Sequence, residues 1–116
     1  MKKVLLTGFG DWAGSCANPA KAVADALDGA SISGAAITTI IAPSIFSEMI
    51  KVVTDEIDRI SPDAVIMMGE FGGRTMITVE RLAQNLIDAT RYDMGDMTNA
   101  RPQDEPVVPG GPVAYY

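Results

Sequence analysis

The sequence predicts an α/β layered fold on a mostly parallel sheet, and three observations carry that prediction. Strand-type apolar runs alternate with segments of helical period, in the order strand, helix, strand, helix, strand. The strand-type runs are apolar almost without interruption, as expected where both faces of a parallel sheet are covered. The 116 residues suffice for one core but not for two, so residues 1–116 are expected to form a single α/β domain.

The first strand is "KVLLTG" (3–8), a short apolar run that ends in a turn signal. A loop follows. The first helix is then announced by Asn18, whose side-chain oxygen suits an N-cap, and by Pro19, whose missing N–H does no harm at the first helical position. "AKAVADAL" continues it to a stop at Asp28-Gly29. "AAITTIIA" (35–42) is β-branched and apolar, the second strand. After Pro43, the residues Phe46, Met49, Ile50, Val53, Ile57 and Ile60 recur at helical spacing; Ser44 is the expected N-cap and Ser61-Pro62 the end. "AVIMMG" (64–69) is a third strand of the buried type. Residues 76–87 fit two periods, because Ile77 and Val79 alternate as in a strand while Val79, Leu82, Ala83 and Leu86 satisfy a helix. From 89 to 111 the chain is rich in Asp, Asn, Pro and Gly, a long loop. "GPVAYY" at the end reads as the opening of another element, so the fold is expected to be truncated here.

Composition removes several classes of function. A net charge of −6 leaves no basic cluster to release counterions from nucleic acid, and no apolar run is long enough to cross a bilayer. Cys16 is the only cysteine, which excludes an internal disulfide; with no secretion signal, a cytoplasmic location is expected. The chain has no histidine, and therefore lacks the commonest general base near neutral pH and the commonest metal ligand. Neither a cofactor nor a metal is expected.

Four features are candidates for a site. "GFGDWA" (8–13) matches the spacing of the dinucleotide fingerprint G-x-G-x-x-A, but the capping signals start the helix near Asn18, too late to meet a pyrophosphate, and Asp11 would repel one. Phe9 and Trp12 flank that loop where the chain leaves the carboxyl end of a strand, either as walls of a slot for a flat apolar group or as core under the loop. Cys16 precedes a helix N-terminus, where the dipole lowers a thiol pKa, yet no histidine exists to act as its base. A small, half-buried structural thiol is therefore the stronger reading. Finally, "GEFGGRTMITVER" (69–81) sets Glu80 and Arg81 side by side after a run of glycines that lets backbone N–H groups approach an anion or a carbonyl. The plain alternative is a surface charge pair.

These stretches together resemble the pyroglutamyl-peptidase family, also called pyrrolidone-carboxylate peptidases. "KVLLTGFGDWAG...NPA" is similar to the family's amino-terminal "VLVTGF-x-PFGG...NPS". "SPDAVIMMGEFGGRTMITVERLAQNLIDA" is similar to its "PD-x-V-x-x-x-G-x-AGGR-x-x-ITVER-x-A-x-N-x-x-DA", and "GGPVAYY" to its "GP-x-AYF". The resemblance implies an open three-layer α/β/α sandwich and a cysteine peptidase that removes N-terminal pyroglutamate from peptides, with a Cys–His pair oriented by an acid. By the same resemblance Glu80 is that acid, with Arg81 as its structural neighbour. Phe9 and Trp12 wall the pocket of a peptide or small lactam substrate, with Gly69, Glu70 and Phe71 beside it.

The sequence also departs from the family. "GFGDWAG" puts an acid and an alanine into the first motif, Glu70 and Phe71 stand where an amide and an alanine are usual, and "TRYDMGDM" replaces "RIPDN-x-G". The resemblance covers the family's amino-terminal half, and the nucleophile and its base belong to the other half; Cys16 is not the nucleophile's counterpart. Two expectations follow: an enzyme half that is inactive alone, or a non-catalytic binding or self-assembly module. Either would expose sheet edge and apolar surface, so a homo-oligomer is expected.

Overall fold

A computed structural model describes residues 1–10, 17–88 and 104–115 of the chain. Trp12, Cys16 and positions 89–103 of the long loop lie outside these residues. The chain forms two compact units, Met1–Phe71 and Gly72–Tyr116.

In the first unit, β1 (Lys2–Phe9) is followed by α1 (Pro19–Leu27), β2 (Ser31–Ile32), β3 (Ala35–Ala42), α2 (Phe46–Ile60) and β4 (Ala64–Met67). The sheet order is β2-β3-β1-β4. β1 is parallel to both neighbours, in register from Lys2↔Ala35 to Phe9↔Ala42 on one side and from Val4↔Ala64 to Thr7↔Met67 on the other. α1 carries the chain from β1 to β3, and α2 carries it back past β1 to β4. With right-handed crossovers, that reversal sets the two helices on opposite faces, giving the α/β/α layering.

Local chemistry explains the element bounds. Asn18 caps α1 by accepting the Ala20 N–H at 2.9 Å, and Pro19 occupies the first turn. Leu5, Leu6, Ala20, Ala24 and Ala42 form the buried apolar centre. Gly8 is needed there, because a β-carbon on it would stand 2.7 Å from the Ala20 carbonyl oxygen; α1 therefore rides directly on the β1 backbone. The apolar stripe of α2 is half-buried, as its spacing predicts, while Lys51–Asp55 and Arg59–Glu56 pair along the exposed surface. Its N-cap is Ile45 rather than Ser44 and makes no side-chain bond. Ser44 stands one residue outside the helix, and Glu48 in the first turn places negative charge by the open N–H groups instead. At the other end Ser61 takes the left-handed conformation (φ 46) and donates its N–H to Ile57 at 2.8 Å, just before Pro62.

The β2–β3 hairpin has no counterpart in the sequence-based expectation. Ser33 and Gly34 both have positive φ, 49 and 81, the requirement of a two-residue turn whose twist suits a hairpin.

The second unit contains little regular structure among its described residues. Residues 76–82 are neither strand nor helix, so neither candidate period governs them. β5 (Ala83–Gln84) pairs antiparallel with β6 (Ala114–Tyr115). Asn85 extends the pairing by side chain, accepting the Val108 N–H at 2.8 Å and donating to the Val108 carbonyl at 2.9 Å. Gly111 leaves room for it, since a β-carbon there would meet Asn85 Nδ2 at 3.1 Å.

Candidate active-site residues

The order reversal makes the carboxyl end of β1 a switch point, where open α/β sheets form their crevices. Phe9 is the last residue of β1, and Gly10 carries the chain onward. Two bonds fix Gly10: its N–H donates to the Ala42 carbonyl at 3.3 Å, and Asn18 Nδ2 donates to its carbonyl at 3.4 Å. Asn18 is 4% exposed, so a buried side chain ties the start of α1 to the exit from β1.

Gly69 follows β4, beside β1. A β-carbon on Gly69 would lie 3.9 Å from Phe9 Cε2, which means that the half-buried Phe9 ring faces bare backbone at the carboxyl ends of two adjacent strands. A flat neutral group lying on that ring would meet an apolar surface next to peptide N–H and C=O groups, the combination that small-ligand sites use. Glu70 and Phe71 continue from Gly69 and are exposed, Phe71 at 63%.

Glu80 belongs to the second unit and is exposed. Its cationic partner is Arg74: Arg74 Nη1 donates to Glu80 Oε1 at 3.1 Å and to Thr78 Oγ1 at 2.6 Å. One guanidinium thus gathers an acid six residues away and a hydroxyl four residues away. Gly73, with φ 88, turns the chain just before it. Sequence reasoning named Arg81 as the neighbour of Glu80 and did not single out Arg74; the arginine of "GGR" was the available signal. Asn85 was missed in the same way.

No group of three or more His, Cys, Asp or Glu residues is placed to hold a metal among the described residues. Asp63 sits below the usual carboxylate range because Lys2 Nζ, at 2.7 Å, and the Lys3 N–H, at 2.8 Å, donate to it, and Lys2 is raised in turn. Glu56 is lowered by its hydrogen bond from Arg59.

Comparison with known proteins gives a consistent result. A family model described as pyroglutamyl peptidase matches residues 2–116. The pyrrolidone-carboxylate peptidase of Mycobacterium tuberculosis is 47% identical over 116 residues, which are 100% of this chain and 52% of that protein. The Escherichia fergusonii enzyme is 40% identical, with 53% of its length covered. Among solved structures, pyrrolidone carboxyl peptidase from Pyrococcus furiosus superposes with a TM-score of 0.89 at 38% identity, covering 97% of this chain and 53% of that one. Pyroglutamyl peptidase I from Bacillus amyloliquefaciens does so at 0.88 and 38%, covering 98% and 53%. The chain spans about half the length of the relatives it matches. With its motifs in register along its whole length and the same fold at this identity, the chain belongs to the pyroglutamyl peptidase family.

Proposed function

We propose that these residues supply the lactam-facing wall and the orienting acid of a cysteine peptidase that removes N-terminal pyroglutamate from peptides. The 47% identity across all 116 residues carries this reading. Phe9 and Trp12 flank the flat lactam, and the backbone at Gly69, Glu70 and Phe71 meets its polar edge. A charged N-terminal amine would be desolvated there without a partner, which selects for the neutral ring. Glu80 accepts an N–H from an imidazole, fixing its tautomer and stabilising its charged form, while Arg74 holds one carboxylate oxygen in place. The imidazole comes from polypeptide outside these residues, since they include no histidine, and the attacking thiolate comes from there too.

The 116 residues by themselves are therefore expected not to hydrolyse a chromogenic pyroglutamyl amide. Turnover that vanishes in Cys16→Ser would overturn that assignment. Supplying the remaining half of the Mycobacterium tuberculosis relative should restore hydrolysis, and Glu80→Gln should then lower kcat by roughly 10²- to 10⁴-fold. An unchanged kcat would remove Glu80 from the chemistry. The slot has its own readout, because Trp12 is the only tryptophan. Pyroglutamate amide should bind at about millimolar affinity, near −4 kcal/mol, and alter Trp12 fluorescence, with proline amide weaker and Phe9→Ala abolishing the response.

A cytoplasmic location belongs to the same proposal and is supported by the lone cysteine. No described helix is long and apolar enough to cross a membrane. Self-association of the isolated chain is also part of it, and light scattering should find a dimer or larger.

A further inference from the structure

The pairing of β1 with β4 runs one residue past the end of β4, because the Met68 N–H donates to the Thr7 carbonyl at 2.9 Å. The chain therefore leaves the sheet at Gly69, against the Phe9 ring, where the lactam is proposed to lie. Glu70 and Phe71 come next, in the same compact unit, and both are exposed. An acid and an aromatic ring thus stand in sequence at the rim of the slot.

The fold makes little use of either side chain. Glu70 enters none of the ion pairs among the described residues, and Phe71 leaves 63% of its surface in water. Both are also positions at which the sequence departs from its family's motif, where an amide and an alanine are usual. An acid in place of an amide adds a negative charge with little change of volume, and a phenylalanine in place of an alanine adds a ring face. Both additions attract a cation, the carboxylate by its charge and the ring by its quadrupole.

We propose that Glu70 and Phe71 form a rim subsite for the residue that follows the pyroglutamyl group, and that this subsite selects peptides in which that residue is basic, arginine above all. The distances allow it. The residue after a lactam lying on Phe9 is one peptide unit further along, about 3.8 Å between α-carbons, and Glu70 is one such unit from Gly69. A cationic side chain at that place comes within a Debye length of the Glu70 carboxylate, about 8 Å at physiological salt. Arginine is favoured over lysine because a planar guanidinium stacks on a ring while its N–H groups donate to a carboxylate. The inference rests on the proposed lactam slot and extends it from the ring to the rest of the substrate.

The test titrates the full 116-residue chain with three amides, pyroglutamyl-arginine, pyroglutamyl-glutamine and pyroglutamyl-glutamate, and follows the fluorescence of Trp12 at low and high salt. The arginine ligand should bind about three- to tenfold more tightly than the glutamate ligand in about 20 mM salt, and less than about twofold more tightly in about 0.5 M. Glu70→Gln should lower that low-salt ratio by at least about twofold, and Phe71→Ala should lower the arginine-to-glutamine ratio by about twofold. Both sites are exposed, so the urea midpoint of either variant should stay near that of the parent. Asp58→Asn removes the same charge from the exposed side of α2 near its carboxyl end, where the chain returns to the amino end of β4, and should leave both ratios near the parent values. Equal affinity for all three ligands overturns the proposal and leaves the slot standing. So does a ratio unmoved in either rim variant, or one that falls as far in Asp58→Asn, which would assign the preference to net charge. Failure of the neutral glutamine ligand to bind at all would sink the slot itself, and this subsite with it.

Discussion

β1 and β4 are hydrogen-bonded neighbours in one sheet, run parallel, and have similar apolar sequences, yet they occupy opposite environments. Leu5 and Leu6 of β1 are 0% and 5% exposed, beneath both helices and between two strands. Ile66 and Met67 of β4 have one neighbouring strand and no helix among the described residues. An apolar run therefore records the environment a strand is made for, whereas its actual burial depends on what reaches it. The same contrast runs through two glycines near the carboxyl ends of these strands: Gly8 is crowded by α1 and Gly69 meets only the edge of a ring.

The largest effect that separates the two strands should come from truncating their side chains. Leu5→Ala removes a fully buried side chain and should cost about 2–5 kcal/mol, depending on how far the site collapses. Ile66→Ala, at a half-exposed position, should cost about 1 kcal/mol or less. Urea unfolding of both variants measures the difference. Equal losses would mean that β4 is buried in solution, by self-association, and that the contrast describes only the isolated chain.

The glycines sharpen the contrast on a smaller scale. In Gly8→Ala the new β-carbon meets backbone, at 2.7 Å from the Ala20 oxygen and 3.0 Å from its carbon, so α1 must move off β1. A loss of about 1–3 kcal/mol is expected. In Gly69→Ala the nearest atom is 3.9 Å away, ordinary contact, and stability should stay within about 0.5 kcal/mol. Binding of pyroglutamate amide should nevertheless weaken in Gly69→Ala, because the added methyl lies against the Phe9 ring where the lactam is proposed to sit. Retained binding would separate Gly69 from the slot.

How much of this was legible in the sequence depends on the range of each signal. α1 was legible at both ends because Asn18, Pro19 and Gly29 act within a turn of the positions they mark, and β3 because its β-branched run fills the strand from end to end. Ser44 misled because the N-cap falls one residue later, on Ile45, whose side chain has no oxygen to offer. The β2–β3 hairpin had a readable signal in Ser33-Gly34. Residues 76–82 resisted because two periods fitted and neither governs; Arg74 reaches Thr78 and Glu80 there, and contacts across an irregular backbone leave no period behind. Of the site, the meeting of Phe9 and Gly69 follows from parallel register alone once β1 and β4 are adjacent. The role proposed for Glu80 does not follow from any pattern; it came from the family resemblance.

The smallest expected effect concerns how β4 is fastened to β1 at its amino end. Asp63, the residue before β4, accepts from Lys2 Nζ and from the Lys3 N–H, and its own N–H donates to the Lys3 carbonyl at 2.8 Å. Its carboxyl is held below the ordinary range in the folded chain, first by the Lys2 hydrogen bond and then by the Lys3 N–H. A depressed folded-state value means that the contribution is fully present above the unfolded carboxylate pKa of about 3.9 and is lost as pH falls through the lower folded value. Lys2 has the opposite sign: raised in the folded chain, it contributes below its ordinary pKa and loses that contribution as pH rises through the raised one. The pair should therefore be level across neutral pH and fail at both ends. Because both side chains are exposed and screened by salt, the readout is local: hydrogen exchange at 64–68 should be faster in Asp63→Asn than in the parent chain at pH 7. That gap should begin to shrink below about pH 4 and close only as pH falls through the depressed folded value, once exchange is corrected for its intrinsic pH dependence, while Leu5 and Leu6 amides stay equally protected in both. A gap that persists in acid would assign the fastening to hydrogen-bond geometry, which asparagine imitates poorly, and would remove charge from the account of how β4 is held.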